Sequence, residues 1–256
     1  MNAVRNIKLI LAYDGTDYAG WQRQLGQPSI QQAVEEALAR LTQAPVTLHG
    51  AGRTDAGVHA EGMTANFQTE ARLPLSGLVK ALNSMLPLAI RVLAAEKVAS
   101  DFHARYKATG KVYEYTFTTA GIMPPSLRLY AAQVRGPFAC EAVRQCLGAL
   151  IGAHDFTSFE GAGSRDLSVV GGRGAVRTIF AANLAEDENC PELYRITLAG
   201  DGFLRHMVRN IVGTLFAVGR GRLTPYDFQG IMMARDRALA GATAPARGLT
   251  LKTVLY

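Results

Sequence analysis

The chain has 256 residues, is 48% hydrophobic, and carries 27 Lys and Arg against 21 Asp and Glu, for a formal net charge of +6. That length suits two modest domains or one large one with a sizeable core. No apolar run approaches the ~18 residues of a membrane helix, and Tyr13-Asp14-Gly15 cuts off the segment from Lys8 to Ala12 before it could serve as a signal-peptide core, so a cytoplasmic protein is expected.

The first predicted element is a strand from Ile7 to Tyr13, followed by the turn-rich stretch from Asp14 to Trp21. Trp21, the only tryptophan, reads as packing onto the sheet; the alternative is a base-stacking ring beside Arg23. Pro28-Ser29-Ile30-Gln31-Gln32 opens a helix, with Ser29 and Gln32 spaced as a capping box and Ile30, Val34, Ala37, Leu38 and Leu41 as its apolar stripe. Val46 to His49 reads as a strand. Met63, Ala65 and Phe67 share one face of the next.

Between these two strands lies Gly-Ala-Gly-Arg-Thr-Asp-Ala-Gly-Val-His-Ala, residues 50 to 60. Its glycines permit positive φ and close backbone approach, so Arg53 and Asp55 would be held up where a substrate can reach them. On spacing alone, a lone aspartate in such a loop is ordinary turn chemistry, its carboxylate bonding nearby amides.

A helix from about Ser76 to Met85 and a strand from Ile90 to Val98 complete a β-α-β-β-α-β order, a ferredoxin-like (RRM-like) outline. The order echoes in the second half: strand Val112 to Thr118, helix Phe138 to Ile151, strands Ile179 to Leu184 and Tyr194 to Ala199 across the acidic loop 186–189, then a helix from Phe203 to about Val218. The expected fold class is therefore α+β, with halves 1–105 and 106–256. Residues 1–105 hold 10 basic and 9 acidic side chains, whereas 106–256 hold 17 and 12. Such a bias suits a polyanion partner, although many soluble proteins are as basic. Cys140, Cys146 and Cys190 lack metal-ligand spacing and read as buried thiols, with no metal. His59, His103, His154 and His206 likewise lack metal or triad spacing.

Gly-Arg-Thr-Asp-Ala-Gly-Val-His at 52–59 resembles the signature loop of the tRNA pseudouridine synthase A family. Further similarities follow in family order: Phe102-His103-Ala104-Arg105, Lys111-Val112-Tyr113-Glu114-Tyr115, the run from His154 to Phe159, that from Met207 to Gly213, and Gly248-Leu249-Thr250-Leu251. The resemblance covers essentially the whole chain. It implies one extended, mostly antiparallel sheet shared by the halves, with helices on one face and a central basic cleft. The implied activity is isomerisation of uridines 38, 39 and 40 in the anticodon arm of tRNA by a homodimer without a cofactor.

The resemblance further implies Asp55 as the nucleophile, Arg209 as its partner, Arg53 in base flipping, Tyr113 as the ring that stacks on the target base, and Leu249 as an apolar wall. From pattern alone, Tyr113, Tyr115 and Phe117 are sheet core. Arg205 and Arg209, four apart on the predicted helix, would share a face, where like charges cost a few tenths of a kcal/mol unless an anion lies near. The stretch Arg165 to Arg177 is no P-loop, since no Gly-Lys-Ser/Thr follows its glycines; it reads as a mobile basic loop for tRNA phosphates. Gly219-Arg220-Gly221-Arg222 reads as a charged helix end. Attack by Asp55 at C1′, attack at C6, and a glycal route all remain open. One carboxylate suffices for such an isomerisation, whereas glycoside hydrolysis ordinarily demands two. A non-catalytic tRNA-binding or RNA-chaperone protein is the remaining alternative.

Overall fold

The computed structural model describes residues 4–161, 163 and 173–256. In chain order its strands are β1 (Arg5–Tyr13), β2 (His49–Gly50), β3 (His59–Thr69), β4 (Ile90–Val98), β5 (Gly110–Thr118), β6 (Ala132–Gln133), β7 (Gly152–Asp155), β8 (Val176–Asp187), β9 (Cys190–Gly200) and β10 (Leu249–Leu255). The α-helices are α1 (Ile30–Thr42), α2 (Leu75–Met85), α3 (Cys140–Ala149), α4 (Met207–Gly219) and α5 (Pro225–Ala234). The fold is α+β. Two compact units divide the chain: Met1–Thr109 with Thr250–Tyr256, and Gly110–Leu249.

In the first unit, β1 lies between β3 and β4, antiparallel to both, with Ile7 opposite Phe67 and Leu9 opposite Ala65 and Ala95. The period-two burial follows from this pairing: Ile7, Leu9, Leu11 and Tyr13 turn inward, as do Met63, Ala65 and Phe67 of β3. Ile30, Val34, Ala37 and Leu38 of α1 are buried, and so are Leu78 and Leu82 of α2. Ser29 caps α1 by accepting from the Gln32 amide, but the Gln32 side chain donates instead to Glu36, so only half of the expected capping box forms. The final strand, β10, runs parallel to β3, with Thr250 opposite His59.

Residues 46–48 are not a strand. Two side chains of α1 take the place of a ladder partner: Glu35 Oε1 accepts from the Leu48 amide at 3.0 Å, and Gln31 Nε2 donates to the Leu48 carbonyl at 2.9 Å. Glu35 is itself buried, and it is satisfied there because Oε1 also accepts from Gln31 Nε2 at 3.2 Å and Oε2 from Arg23 Nη1 at 3.4 Å.

In the second unit, β9 pairs antiparallel with β5 and β8, β8 with β7, and β6 lies parallel to β5. Tyr113, Tyr115 and Phe117 are all buried on one side of β5. Phe117 lies within 5.3 Å of Phe138, Tyr194 and Phe216, ring centre to ring centre. Strands β8 and β9 run on through most of the expected acidic loop, leaving only Glu188 and Asn189 as the turn. Helix α5 is set by a local start signal: Thr224 and Asp227 form a reciprocal capping box with Pro225 in the first turn.

Two further expectations need correction. Helix α4 begins at Met207, not at 203, because His206 adopts the left-handed φ of 61°; Arg205 thus lies before the helix and shares no helical face with Arg209. Only Cys146 is fully buried, and burial pushes its thiol up to about 11, while Cys140 and Cys190 are half-buried. Among the described residues no group of His, Cys, Asp and Glu could hold a metal ion, and no helix is long and apolar enough to cross a membrane. Residues 165–172 of the expected basic loop lie outside the described residues; Arg173 pairs with Asp201 at 2.7 Å.

A Cβ on Gly213, in the middle of α4, would stand 1.8 Å from the Ala242 carbonyl oxygen. Backbone cannot yield as a flexible side chain can, so Gly213→Ala should cost about 2–3 kcal/mol in urea denaturation, with a lower midpoint and an unchanged slope.

Candidate active site

The loop from Ala51 to Val58 joins β2 to β3, which pair antiparallel through His49 opposite Asn66 and Gly50 opposite Ala65. Arg53 is exposed on it, Thr54 buried and Asp55 half-buried. A second segment, residues 14–21, fixes this loop by backbone contact. The Trp21 amide donates to the Thr54 carbonyl at 3.0 Å and the Gly57 amide to the Tyr18 carbonyl at 3.3 Å. The Tyr13 hydroxyl and Thr54 Oγ1 bond at 2.9 Å, and the Gly15 amide donates to His59 Nδ1 at 3.2 Å. Within the loop, the Val58 amide donates to the Asp55 carbonyl at 3.2 Å.

Glycine is needed at two of these points. Gly20 has φ of +99°, and a Cβ there would stand 2.5 Å from the Thr54 carbonyl oxygen; at Gly15 the Cβ would meet the Val58 carbonyl oxygen at 2.1 Å. Trp21 is 2% exposed, and its indole occupies the space beside Gly50 that a Cβ would need. It is a packing residue, as its commoner role suggests. Tyr18 lies in the same segment, its hydroxyl pKa raised by burial and by the carboxylates of Asp17 and Asp14.

In the second unit, Tyr113 is 8% exposed on β5, its ring edge-on to Phe203 at 5.1 Å. Arg209 lies in the first turn of α4. Its Nε donates to the Ala244 carbonyl at 2.8 Å, while the Ala244 amide donates to its own carbonyl at 3.0 Å, so the guanidinium plane is fixed against residue 244 from both ends. The Tyr115 hydroxyl donates to the Pro245 carbonyl at 2.7 Å, and the Tyr115 ring lies where a Cβ on Gly248 would go. Burial raises the pKa of that hydroxyl, against a weaker downward pull from Arg209 and Arg247. Leu249, 5% exposed, opens β10 directly after Gly248. Arg209, Tyr115 and the stretch 244–248 thus form one packed group.

Asn210, fully buried behind Arg209, steadies this group. Its Nδ2 donates to the Phe159 carbonyl at 2.8 Å, and its Oδ1 accepts from Thr243 Oγ1 at 2.7 Å and Arg237 Nη2 at 3.1 Å. The run from His154 to Phe159 has a similar scaffold role: Ser158 Oγ donates to the Ile231 carbonyl at 2.6 Å, and Phe159 stacks on Phe228.

The positioning residues Tyr13, Gly15, Gly20, Glu35 and Asn210 were not singled out from sequence. Gly15 and Gly20 were visible only as turn glycines, since their partners lie 34 or more residues on. Tyr13→Phe removes the hydroxyl that meets Thr54, so turnover should fall several-fold, while stability falls by about 1 kcal/mol. Steady-state kinetics and denaturation of the same preparation read both.

The chain matches the family described as tRNA pseudouridine synthase over residues 9–107 and 147–256. It is similar to tRNA pseudouridine synthase A 1 of Desulfotalea psychrophila, 51% identical over 253 residues that cover 99% of this chain and 100% of the relative. It is also similar to tRNA pseudouridine synthase A of Geobacter sulfurreducens, 44% identical over 99% of this chain and 100% of that protein, and of Moorella thermoacetica, 45% identical over 98% and 99%.

Proposed function

Because this chain belongs to the tRNA pseudouridine synthase family, we propose that it isomerises uridine to pseudouridine in tRNA with Asp55 as the nucleophile. The observation that carries the assignment is the fixation of the 51–58 loop: a half-buried carboxylate stands on a hairpin whose backbone is bonded to a second segment at Thr54 and Gly57. Holding a reactive group in one geometry before substrate arrives removes part of the ordering cost from the reaction.

In the proposed sequence, the target uridine leaves its helix at a cost of a few kcal/mol, least where the base is weakly stacked. Arg53, exposed on the same loop, occupies the space left behind. Tyr113 stacks on the uracil, a contact worth about 1–3 kcal/mol. Asp55 attacks C1′ or C6, or opens a glycal route by taking a proton. The N1–C1′ bond breaks, the uracil turns, and C5 bonds to C1′; C5 gives up a proton and N1 gains one. Atoms and charge balance without an oxidant, a reductant or a leaving group.

Arg209 is the proposed partner of the Asp55 carboxylate. Its guanidinium, held in one plane by Ala244, has the geometry to meet a carboxylate with its Nη edge, and the apolar side chain of Leu249 would strengthen that attraction by excluding water. The same reading takes residues 1–105 and 106–256 as ferredoxin-like halves of one extended sheet, flanking a basic cleft for the anticodon arm. It places the targets at uridines 38, 39 and 40 and the working enzyme in the cytoplasm as a homodimer.

Asp55→Asn preserves shape and removes the charge. Pseudouridine formation in purified tRNA, followed by mass-shift labelling, should fall by a factor on the order of 10³ or more, with tRNA affinity nearly retained. Conversion at the parent rate would remove Asp55 from the nucleophile role. A parent protein that binds tRNA and never yields pseudouridine would favour a non-catalytic RNA-binding protein.

A further inference from the structure

Three aromatic rings stand in a row on the first unit, outside every role assigned above. The ring centres of His49 and His103 are 5.0 Å apart, and those of His103 and Tyr106 4.3 Å apart, with interplanar angles of 37° and 35°. His49 is exposed, His103 half-buried between its neighbours, and Tyr106 76% exposed. A tyrosine offers a large, rigid, amphipathic face for contact; most of this one's area faces solvent.

The row is firmly built. Two buried asparagines pin residues 99–104 to the sheet: Asn6 Nδ2 donates to the carbonyls of Ala99 at 3.0 Å and Phe102 at 2.8 Å, and Asn66 Oδ1 accepts from the Ala104 amide at 2.8 Å. Asn66 Nδ2 in turn donates to Asn6 Oδ1 at 3.0 Å. The turn closes on itself where the Arg105 amide donates to His103 Nδ1 at 3.1 Å and the Lys107 amide to the His103 carbonyl at 3.0 Å. At the other end His49 lies on β2, directly opposite Asn66. The rings are therefore coupled through Asn66 to the base of the hairpin that carries Asp55.

The surrounding chemistry suits a nucleic acid. Arg105 is exposed beside the row, and Arg53 is exposed on the loop that follows His49. Burial, His49 and Arg105 all lower the pKa of His103, which keeps its imidazole neutral near pH 7. A solvated surface tyrosine would need none of this support. A protein partner would ordinarily be met by a wider apolar surface with a polar rim, whereas flat rings flanked by arginine match a base with its phosphate.

We propose that His49, His103 and Tyr106 form a stacking platform that receives an unpaired base of the RNA substrate at a point separate from the reacting uridine. The assignment rests on the reading of this chain as an enzyme acting on tRNA. Stacking on a ring face tolerates any base, so the platform positions the RNA without reading its sequence.

The test uses the full-length protein and a tRNA transcript, with Tyr106→Ala and Tyr106→Phe. For Tyr106→Ala, both the Kd for tRNA and the KM should rise about 10-fold, the lower range for loss of one base stack, at unchanged kcat. The slope of log affinity against log salt should hold, because no phosphate contact is lost; Tyr106→Phe, which keeps the ring, should match the parent. Parent-like affinity in Tyr106→Ala would overturn the platform, as would a weakened affinity that comes with a changed salt slope or a lowered melting temperature. The functional reading fails separately, through a parent protein that forms no pseudouridine, and the Kd comparison decides the platform in either case.

Discussion

Close approach of two stretches of backbone is the constraint on which the 51–58 loop depends. Residues 14–21 can reach residues 54–59 only because Gly15 and Gly20 carry no side chain where the carbonyls of Val58 and Thr54 lie. Once in contact, the segments exchange hydrogen bonds at Trp21, Tyr18, Tyr13 and Gly15. Each is worth about 0.5–1.5 kcal/mol net, and together they convert a glycine-rich loop, costly to order, into a fixed support for one carboxylate. The first amides of α1 join in, with Ile30 and Gln31 donating to the carbonyls of Gly20 and Trp21. A helix N-terminus thereby has its orphan donors satisfied by the segment that grips the loop.

The second unit solves the same problem by a different route. Arg209 is placed by a helix whose start is set by the left-handed backbone of His206, a conformation a non-glycine residue adopts at a cost. Buried Asn210 offsets that cost with an amide that ties α4 to Phe159, Arg237 and Thr243. Removing the Asn210 side chain would leave the buried Phe159 carbonyl without that donor, and bonds to several segments at once hold the network in one geometry. Gly213 and Gly248 belong to the same design, since each lets a neighbouring segment lie against it without an intervening side chain.

The family motifs thus divide by physical role. Those at 52–59 and 207–213 present charged side chains while fixing their own backbone. The motif at 154–159 chiefly packs α5 through Ser158 and Phe159. That at 102–105 is held by Asn6 and Asn66 and, with His49 and Tyr106, presents rings to solvent. Resemblance alone treats these motifs alike; burial and hydrogen bonding separate them.

Local patterns in the sequence determined the α+β class, the strand at Ile90–Val98, the start of α1 and the inward face of β5, because helical and strand periodicity are written in neighbouring residues. They also located the hairpin loop, whereas it was resemblance to the family, and not periodicity, that singled out Arg53, Asp55, Tyr113, Arg209 and Leu249. Tertiary structure alone decided that Leu48 gives its backbone bonds to Glu35 and Gln31, that α4 starts after His206, and that Gly15 and Gly20 clamp the loop. Each of these outcomes turns on a contact between segments far apart in the chain, or on a backbone angle set by one. A periodicity of two or 3.6 residues carries no record of such contacts.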